Sequence, residues 1–410
     1  MKILEINAYY SFGSTGNIVK SLCEAGNKNG YEMYAIYWLS RNKENESDRI
    51  IFCGEDDSPS RLMKIVQYVF AGGKLNYNTE RTIRIINQIK RINPDIIHLH
   101  NLHGDFEWGS INLELLIDAI AKCGCKVIWT LHDCWPITGR CYHFSYKKCD
   151  KWKYGCGKCP QKIFDRQGIL GDCSNYNWKQ KKYLYQKIKK LTIVTVSDWL
   201  NSVVKESMLK NRQVVTIYNG VDTNVFVPKA ANEGRDKFRI LCIGWDRRKG
   251  YKDYYKLAEL LSDDEEIVVV GKRPIFRRWY KLPTNIREID RANSKEEMAE
   301  IYRSAAVYFN ASPAETFGLT TVEAMSCGIP VIGYRNTATT ELIDNNSDGG
   351  ILVKDGAINE VRNALTIIRN TKFSKMKLHK SCDRLFRSSI MIDKYMNLYR
   401  TFQLNGEKRR

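Results

Sequence analysis

Residues 313–332 read PAETFGLTTVEAMSCGIPVI, and seven residues separate their two acids, Glu315 and Glu323. The apolar run just before them, VYFNAS, predicts a buried strand, and TTVEAMSCG predicts a short helix ended by a glycine. If Thr320 is the N-cap of that helix, Glu323 completes a T-x-x-E capping box. Glu315 lies in the preceding loop and caps nothing in the pattern. The sequence therefore favours a ligand-binding role for this carboxylate.

The same stretch has the chemistry of a phosphate-binding turn. The first amides of a helix, here those of residues 318–321, attract anions. Glu315 and Glu323 would flank such an anion on opposite sides, as acceptors for hydroxyl groups. A sugar–diphosphate–nucleoside needs that order of groups, because it has a sugar at one end and a ribose at the other. The stretch predicts a nucleotide-sugar site.

Val- and Ile-rich runs alternate with helical patterns along the whole chain. The first series consists of KILEINA, MYAIYWL, DIIHLH, KVIWTLHD, LTIVTVSD and VVTIY. After the polar linker 227–237, the second series consists of FRILCIG, EIVVVGK, VYFNAS, IPVIGY and GGILV. Near-continuous apolar strands separated by helices are typical of parallel sheets covered on both faces. The pattern predicts an α/β protein with two doubly wound domains, 1–217 and 218–387, that face each other across a ligand-binding cleft.

Loops after two strands of the first series carry candidate ligand-binding groups. A glycine-rich turn, Gly13–Gly16, precedes the first helix, and either the close approach of a phosphate or a simple cap by Ser14 or Thr15 would explain it. His132 follows the strand KVIWTL. It either faces a ligand or has a structural role in a turn that Asp133 caps.

A basic turn follows the strand FRILCIG in the second series. Arg247, Arg248 and Lys249 come directly before a glycine and a helical segment. Arginine forks and a lysine ammonium suit a diphosphate. For Arg247 a solvated turn is the favoured interpretation.

The composition is that of a globular protein with anionic partners. The 410 residues are 43% hydrophobic and carry a formal net charge of +19, which favours nucleic acid, acidic membrane surfaces or phosphorylated substrates. Six lysines fall within residues 179–190, where a solvated helix face is favoured over contact with anionic lipid headgroups. The first residues, MKILEINAYY, predict a strand rather than a signal peptide, and so a cytoplasmic protein.

One group of cysteines differs from the scattered, apolar ones. Cys141, Cys149, Cys156 and Cys159 fall close together and end in C-G-K-C. Four thiols with a terminal C-x-x-C can make a tetrahedral zinc site of the structural kind, in which His143 could replace one ligand. Buried or redox-inactive thiols in an ordered loop are the alternative.

The E-x7-E stretch resembles the donor-site signature of the retaining glycosyltransferases of family 4, which have the two-domain GT-B fold. The match continues through NGVD (219–222), RKG (248–250) and the glycine-rich first loop. HNLHGDF, TLHDCWPITGRC and GCGKCP are similar to a bacterial subgroup, colanic-acid-type enzymes among them, that builds exopolysaccharide, capsule or O-antigen units. The resemblance covers nearly the whole chain. It implies that the last helix, 388–410, returns to the first domain.

The resemblance also implies roles for matching positions. Glu315 would bind the donor sugar's hydroxyls near the reacting carbon, and His132 would face that sugar from the other domain. Glu323 would bind the ribose hydroxyls, and Arg248 and Lys249 would neutralise the leaving diphosphate. The residues whose backbone amides would contact sugar and diphosphate are Phe317, Gly318, Leu319 and Thr320.

Two further positions complete this picture. Gly16 would lie close to the phosphates and the acceptor. The family often has arginine directly after the glycine that ends the first strand of the second domain, but here Gly244 is followed by Trp245, and the loop is one residue short. Arg248 would then replace the missing cation.

The resemblance implies a retaining hexosyltransferase that moves a sugar from a UDP- or GDP-sugar to a glycan. The basic surface favours a lipid-diphosphate-linked acceptor at the inner face of the plasma membrane. Cations and a helix N-terminus can stabilise the departing diphosphate, and the sequence has no D-x-D motif, so no catalytic metal or other cofactor is expected. The family implies front-face attack, in which the leaving phosphate helps to remove the acceptor's proton.

Two other functions are compatible with parts of the sequence. A GT-B-fold nucleotide-sugar epimerase would need no acceptor, and the E-x7-E loop argues against it. A basic nucleic-acid-binding protein would use the +19 charge, but the sequence has no recognisable nucleic-acid module, so no nucleic-acid partner is expected.

Overall fold

The structure is a computed structural model that describes residues 1–40, 46–54, 78–104, 111–161, 171–229, 237–274, 279, 281–345 and 349–407. It divides into two compact units. The first is Met1–Ile217 with Ile392–Arg410, and the second is Tyr218–Met391. Most of the linker expected at 227–237 lies outside the described residues.

The first unit is built on a seven-stranded parallel sheet. Its strands are β1 (Lys2–Ile6), β2 (Glu32–Tyr37), β3 (Ile50–Phe52), β4 (Ile96–Leu99), β5 (Lys126–Leu131), β6 (Leu191–Thr195) and β7 (Gln213–Thr216). Among the described residues before 217, its α-helices are α1 (Gly13–Lys28), α2 (Thr79–Ile92), α3 (Leu113–Cys123), α4 (Ser174–Lys187) and α5 (Asp198–Glu206). The strand order is β3-β2-β1-β4-β5-β6-β7. Because the order reverses between β1 and β4, ligands are expected at the carboxyl ends of these two strands.

The second unit repeats this architecture with six parallel strands. They are β8 (Phe238–Ile243), β9 (Glu265–Val270), β10 (Ile286–Ile289), β11 (Val307–Asn310), β12 (Val331–Tyr334) and β13 (Gly350–Val353). Its helices are α6 (Tyr251–Ala258), α7 (Lys295–Arg303), α8 (Leu319–Ser326), α9 (Thr337–Asp344), α10 (Ile358–Asn370) and α11 (Lys375–Phe386). The order β10-β9-β8-β11-β12-β13 reverses between β8 and β11.

The central strands of each sheet are buried, as their unbroken apolar runs predict, whereas the edge strands β3, β7, β10 and β13 are only partly buried. In the second unit Ile240, Val269 and Phe309 are fully buried between helices, among them α6 and α10. The patterns did not predict β3 and β10, which have three and four residues and lie at sheet edges. Strands this short carry too little periodicity to be recognised.

The last helix, α12 (Ser388–Glu407), belongs to the first unit from Ile392 onwards. Tyr395 and Tyr399 lie one turn apart on the same face of the helix. Both are fully buried, and their hydroxyl groups reach polar side chains of the first sheet. Among the helices in the described part of the chain, none is both long and apolar enough to cross a membrane.

Candidate active site

The carboxyl ends of β8 and β11 lie side by side at the strand-order reversal of the second unit. A 3-10 turn, Arg247–Lys249, follows β8. Gly250 comes next with φ +72°, and a Cβ there would stand 2.0 Å from the carbonyl oxygen of Ala311, just after β11. Glycine is therefore required for the basic turn to lie against the β11 loop. The hydroxyl of Ser312 also donates to the carbonyl of Arg248 at 2.8 Å.

This contact brings two of the predicted catalytic residues together. Lys249 Nζ lies 2.7 Å from Glu315 Oε1, and the two side chains are 34% and 16% exposed. The backbone fixes the carboxylate, because the Glu315 N–H donates to Thr337 Oγ1 at 2.9 Å and its carbonyl accepts from Ala338 N at 3.2 Å. An ion pair held in this way, and open to solvent on one side, can receive an incoming ligand.

The E-x7-E segment (residues 315–323) enters its helix differently from the prediction. Gly318, with φ +98°, occupies the N-cap of α8, so Thr320 lies inside the first turn and bonds the hydroxyl of Tyr308 at 3.0 Å. The predicted capping box is wrong, because a left-handed glycine starts the helix two residues earlier. Glu323 instead accepts a hydrogen bond from the Tyr302 hydroxyl at 2.9 Å. Burial raises the pKa of Glu323 above its usual value.

The other residues proposed for the donor site lie nearby with different exposures. Arg248 is exposed and pairs with Asp246 at 3.2 Å, and Arg247 is exposed in the same turn. Phe317 is buried, with its ring against Tyr218 and Phe386. Leu319 is partly buried at the start of α8.

Trp245 explains the departure from the family pattern. Its side chain is 5% exposed and belongs to the core of the second unit. Its indole N–H donates to the carbonyl of Gly271 at 2.7 Å, and the guanidinium of Arg273 lies 5.8 Å from the centre of its ring. A core residue thus takes the position where the family often has a cation.

In the first unit, the structure gives Gly16 a packing role. The helix α1 starts at Gly13 with Phe12 at the N-cap, so the suggested cap by Ser14 or Thr15 is wrong, because both lie within the first turn. A Cβ on Gly16 would stand 3.3 Å from the carbonyl oxygen of Tyr9. The glycine therefore lets the loop after β1 fold back onto the first turn of the helix.

His132 follows β5 and joins a chain of side chains. Its Nε2 lies 3.0 Å from Nδ1 of His100, and the ring planes are tilted by only 18°. Beside it, Asp133 accepts from the Trp135 N–H at 2.8 Å, which confirms the predicted turn. The other oxygen of Asp133 lies 2.8 Å from Nε2 of His103.

A buried polar network extends from His132 into the sheet, and the sequence patterns did not predict it. Glu5 on β1 is fully buried, with its Oε2 2.7 Å from His100 Nε2 and 3.0 Å from His98 Nδ1. Tyr399 donates its hydroxyl to the other oxygen of Glu5 at 2.8 Å. The signal was present, because a glutamate and two histidines interrupt the apolar runs KILEINA and DIIHLH. We call Glu5, His98, His100 and His132 the histidine network.

The surroundings perturb the acid–base properties of this network. Burial opposes ionisation of Glu5, but His98 and His100 outweigh it and lower the pKa of the carboxyl to about 2. Burial and the neighbouring His98 lower the pKa of His100 to about 4, against the pull of Glu5. Desolvation and the nearby histidines lower the pKa of His132 well below its usual value. At neutral pH, Glu5 is therefore a carboxylate, and His100 and His132 are neutral.

Two clusters have residue types that bind metals. Within the described ranges, the group in which three ligand atoms lie within 4.8 Å of one another is Glu5, His98 and His100. The other cluster is the set of four cysteines that line one small pocket, namely Cys141, Cys149, Cys156 and Cys159. All thirteen cysteines are free thiols.

The cysteine-lined cavity has one feature of a metal site and lacks another. The Gly139 N–H donates to the sulfur of Cys156 at 3.2 Å. Among the described residues, however, no three of the four sulfurs meet within 4.8 Å. His143, suggested as a substitute ligand, stacks on Trp199 with centroids 5.2 Å apart.

The lysine-rich stretch lies on α4 and just after it, and it divides by exposure. Lys181 is fully buried and donates to the carbonyls of Trp135 and Thr138 at 2.6 and 3.0 Å. Burial lowers the pKa of Lys181 to about 7. The exposed lysines form one set, which we call the basic face: Lys179, Lys182, Lys189 and Lys190.

Together, the two doubly wound sheets and the charged strand-end loops define a GT-B glycosyltransferase, and comparison with known proteins agrees. Residues 15–225 match the family model for glycosyltransferase family 4, and residues 237–370 match the model for glycosyl transferases group 1. The chain belongs to glycosyltransferase family 4.

Relatives and solved structures cover nearly the whole chain at low identity. A protein of Escherichia coli strain K12 named as a colanic acid biosynthesis glycosyl transferase, WcaC, is 22% identical over 97% of this chain and 99% of its own. An uncharacterized protein of the cps region of Klebsiella pneumoniae is 24% identical over 88% of this chain and 94% of its own.

Two solved structures show the fold. Sucrose-phosphate synthase of Thermosynechococcus elongatus superposes with a TM-score of 0.68 at 16% identity, and covers 98% of this chain and 99% of its own. Anabaena HepE, solved in complex with UDP and glucose, superposes with a TM-score of 0.66 at 13% identity, and covers 97% of this chain and 99% of its own.

Proposed function

We propose that this glycosyltransferase moves a hexose from a UDP- or GDP-sugar to a glycan acceptor with retention of configuration. The observation that supports it most is the Lys249–Glu315 pair at 2.7 Å beside the N-terminus of α8. In the bound donor, Lys249 and Arg248 face the diphosphate, and the amides at residues 317–320 donate to it and to the sugar. Glu315 accepts from sugar hydroxyls, and Glu323 accepts from the ribose.

The chemistry assigned to this site is charge stabilisation and positioning. As the bond from the anomeric carbon to the diphosphate oxygen breaks, negative charge builds up on the diphosphate, where Lys249 and the helix amides stabilise it. The acceptor hydroxyl attacks the same face of the sugar and passes its proton to a phosphate oxygen. His132 offers a ring nitrogen to a sugar hydroxyl, and Gly16 keeps the first loop close to the phosphates and the acceptor. The protein supplies the charges itself in this proposal, so no metal is assigned to the step.

The acceptor proposed is a lipid-diphosphate-linked oligosaccharide used for surface polysaccharide, reached at the inner face of the plasma membrane. Two observations support it. Relatives are named for colanic acid and for a cps region. The basic face has four exposed lysines, and Tyr183 in the same stretch is 58% exposed; such a surface suits anionic headgroups.

The donor site is tested by thermal unfolding against UDP-glucose, GDP-mannose and ADP-glucose. A ligand that binds only the folded state raises the Tm, because it adds a stabilisation that grows with the logarithm of one plus its concentration divided by its Kd. We expect one nucleotide-sugar to raise the Tm, and Glu323→Ala to lose most of that shift. Glu296→Ala is the matched control, because Glu296 is an exposed acid in the first turn of α7. A lack of any shift with all three sugars, or an equal loss in the control, would contradict the donor site.

Three further assays separate the details of the proposal. Transfer followed by NMR of the product's anomeric centre distinguishes retention from inversion. The same reaction without acceptor distinguishes a transferase from the epimerase alternative, which would interconvert free sugar nucleotides. Sedimentation with phosphatidylglycerol vesicles tests the membrane contact. We expect the protein to bind phosphatidylglycerol vesicles and not phosphatidylcholine vesicles. Added salt should weaken this binding, and the double substitution Lys182→Glu and Lys189→Glu should abolish it.

A further inference from the structure

We propose that Glu5 and His100 are positioning residues that hold His132 in a single tautomer, with the proton on Nε2, so that its Nδ1 is a hydrogen-bond acceptor for a sugar hydroxyl. This inference rests on the proposed role of His132 in sugar binding. It adds the direction of that hydrogen bond and two residues, on β1 and after β4, that act through His132.

The protons can be placed by following the hydrogen bonds outward from Glu5. A buried carboxylate only accepts, so the 2.7 Å contact with His100 requires the proton of that ring to be on Nε2. A neutral imidazole with a proton on Nε2 has a lone pair on Nδ1. The Nδ1 of His100 is therefore an acceptor, and its neighbour at 3.0 Å, Nε2 of His132, must be the donor.

The same rule fixes the outer end of the chain. Because Nε2 of His132 carries the proton of a neutral ring, Nδ1 carries the lone pair. A hydroxyl group of the sugar can therefore donate a hydrogen bond to Nδ1 of His132. This logic is that of a carboxylate which orients an imidazole through its other nitrogen.

The remaining contacts make the arrangement rigid. His98 directs Nδ1 toward Glu5, and its Nε2 lies 2.8 Å from the hydroxyl of Thr130. Tyr395 on α12 lies 3.0 Å from that same hydroxyl. Tyr399, one turn further along, donates to Glu5. Buried polar groups whose partners are all within the protein specify one arrangement, so the C-terminal helix contributes to the orientation of His132.

A metal ion is the other occupant that a glutamate and two histidines could suggest. In the structure the atoms that would bind it already face one another, with 2.7 Å between His100 Nε2 and Glu5 Oε2. That distance is the length of a charge-assisted hydrogen bond. The three side chains are fully buried, so an ion would also have to replace the bond from Tyr399. The geometry favours the proton chain.

The acceptor role is tested by two amides at position 132. The asparagine amide reaches as far from Cα as Nδ1 of histidine does, and the glutamine amide reaches as far as Nε2. We expect His132→Asn to keep about tenfold more turnover than His132→Gln with the nucleotide-sugar that raises the Tm, because only asparagine can place an acceptor at the Nδ1 position. Equal activities, or greater activity for glutamine, would overturn the acceptor role.

The positioning role is tested by Glu5→Gln, with Tyr185→Phe as the matched control, because the buried hydroxyl of Tyr185 donates to the carbonyl of Pro136 at 3.1 Å, outside the histidine network. Both variants disturb buried hydrogen bonds of the first unit, but only the first removes the group that sets the proton on His100. In histidine-labelled protein, two-bond nitrogen–proton couplings distinguish a protonated ring nitrogen from an unprotonated one. We expect wild type and Tyr185→Phe to show Nε2–H on His132, and Glu5→Gln to show mixed tautomers with a turnover about tenfold to a hundredfold lower.

Each failure has a separate meaning. Nδ1–H on His132 in the wild type would overturn the inference whatever the activity, and this measurement needs no variant to fold. An unchanged tautomer and turnover in Glu5→Gln would remove Glu5 from the positioning role. If elemental analysis finds a metal in the purified wild type and not in Glu5→Gln, the hydrogen-bond chain from Glu5 to His132 is overturned. If no nucleotide-sugar raises the Tm while His132 still shows Nε2–H, the proposed function fails and the hydrogen-bond chain stands.

Discussion

The E-x7-E segment of the second unit and the histidine network of the first unit both gather ionisable side chains at a strand-order reversal, but in opposite ways. In the first case Lys249 and Glu315 form a partly exposed ion pair beside the N-terminus of α8. In the second, Glu5, His98 and His100 are fully buried and bond mainly to one another.

This difference separates binding from positioning. Charges that remain partly solvated can exchange their partner for a ligand, because the cost of breaking an exposed ion pair is small. Charges that are buried cannot do so cheaply, because an unpaired buried group keeps its full desolvation penalty. We expect variants in the E-x7-E segment to change ligand affinity and rate directly, and variants in the histidine network to change stability and, through the orientation of His132, turnover.

The largest effect is expected for Lys249→Ala. Its ammonium is the cation that contacts Glu315, and it is proposed to stabilise the leaving diphosphate, so turnover should fall by about 100- to 1000-fold. Steady-state kinetics with the donor identified by thermal unfolding measures this. Arg247→Ala, an exposed arginine of the same turn, should remain near wild type. An equal loss in both variants would mean that the whole basic turn contributes, and would contradict a specific role for the Lys249–Glu315 pair.

The second effect concerns acid stability and the histidine network. The pKa of His100 is lowered from 6.5 to about 4, so the unfolded chain binds a proton that the native protein does not, and stability is lost as the pH falls from 6.5 to 4. The shift corresponds to about 3 kcal/mol of unfolding free energy. Denaturant unfolding at several pH values should show this loss, and Glu5, with its pKa lowered to about 2, should extend it below pH 4.5.

His100→Gln should reduce the loss of stability between pH 6.5 and 4 without abolishing it, because the pKa of His132 is also lowered, chiefly by burial. His379→Gln is the control, because His379 bonds the carbonyl of Ser326 and lies outside the network. If His100→Gln kept the full pH dependence, the acid sensitivity would belong to other groups.

A third prediction concerns the zinc site, which remains a hypothesis. We expect elemental analysis of protein purified without chelator to find about one zinc per chain, with the four sulfurs drawn together around it. Cys156→Ser should lose the metal and lower the Tm by several degrees, since a structural metal contributes to folding free energy. Cys173→Ser, a thiol at the N-cap of α4, should keep both. Metal-free wild type would leave the cysteines as ordinary thiols.

The smallest effect is expected for Tyr302→Phe. The lost hydroxyl donates to Glu323 at 2.9 Å, and Glu323 is the proposed acceptor for the ribose. Nucleotide affinity should therefore fall about fivefold, equivalent to about 1 kcal/mol. Calorimetric titration with UDP or GDP measures it. Tyr334→Phe loses a comparable bond to Asp253 and should leave affinity unchanged. Equal affinities for wild type and Tyr302→Phe would show that Glu323 needs no support.

Much of the second unit could be predicted because its signals are local. The alternating runs place β8 and β11 within a residue or two of their observed bounds, and the E-x7-E segment lies within one short stretch of sequence. The start of α8 could not be predicted, because Thr320 suits an N-cap and only the left-handed conformation of Gly318 shows that the helix begins earlier. Partners such as Tyr302 come from another helix, so no local pattern announces them.

The sequence by itself determined the two series of buried strands, the loops that follow them and the family, because periodicity and motifs are properties of neighbouring residues. Only the tertiary structure decided that Glu5 meets His100 and that Tyr399 meets Glu5, across 95 and 394 positions. The pairing of β1 with β4 and the return of α12 create those contacts. Burial then gives them their strength, because a carboxylate and imidazoles shielded from water interact far more strongly than the same groups in solution.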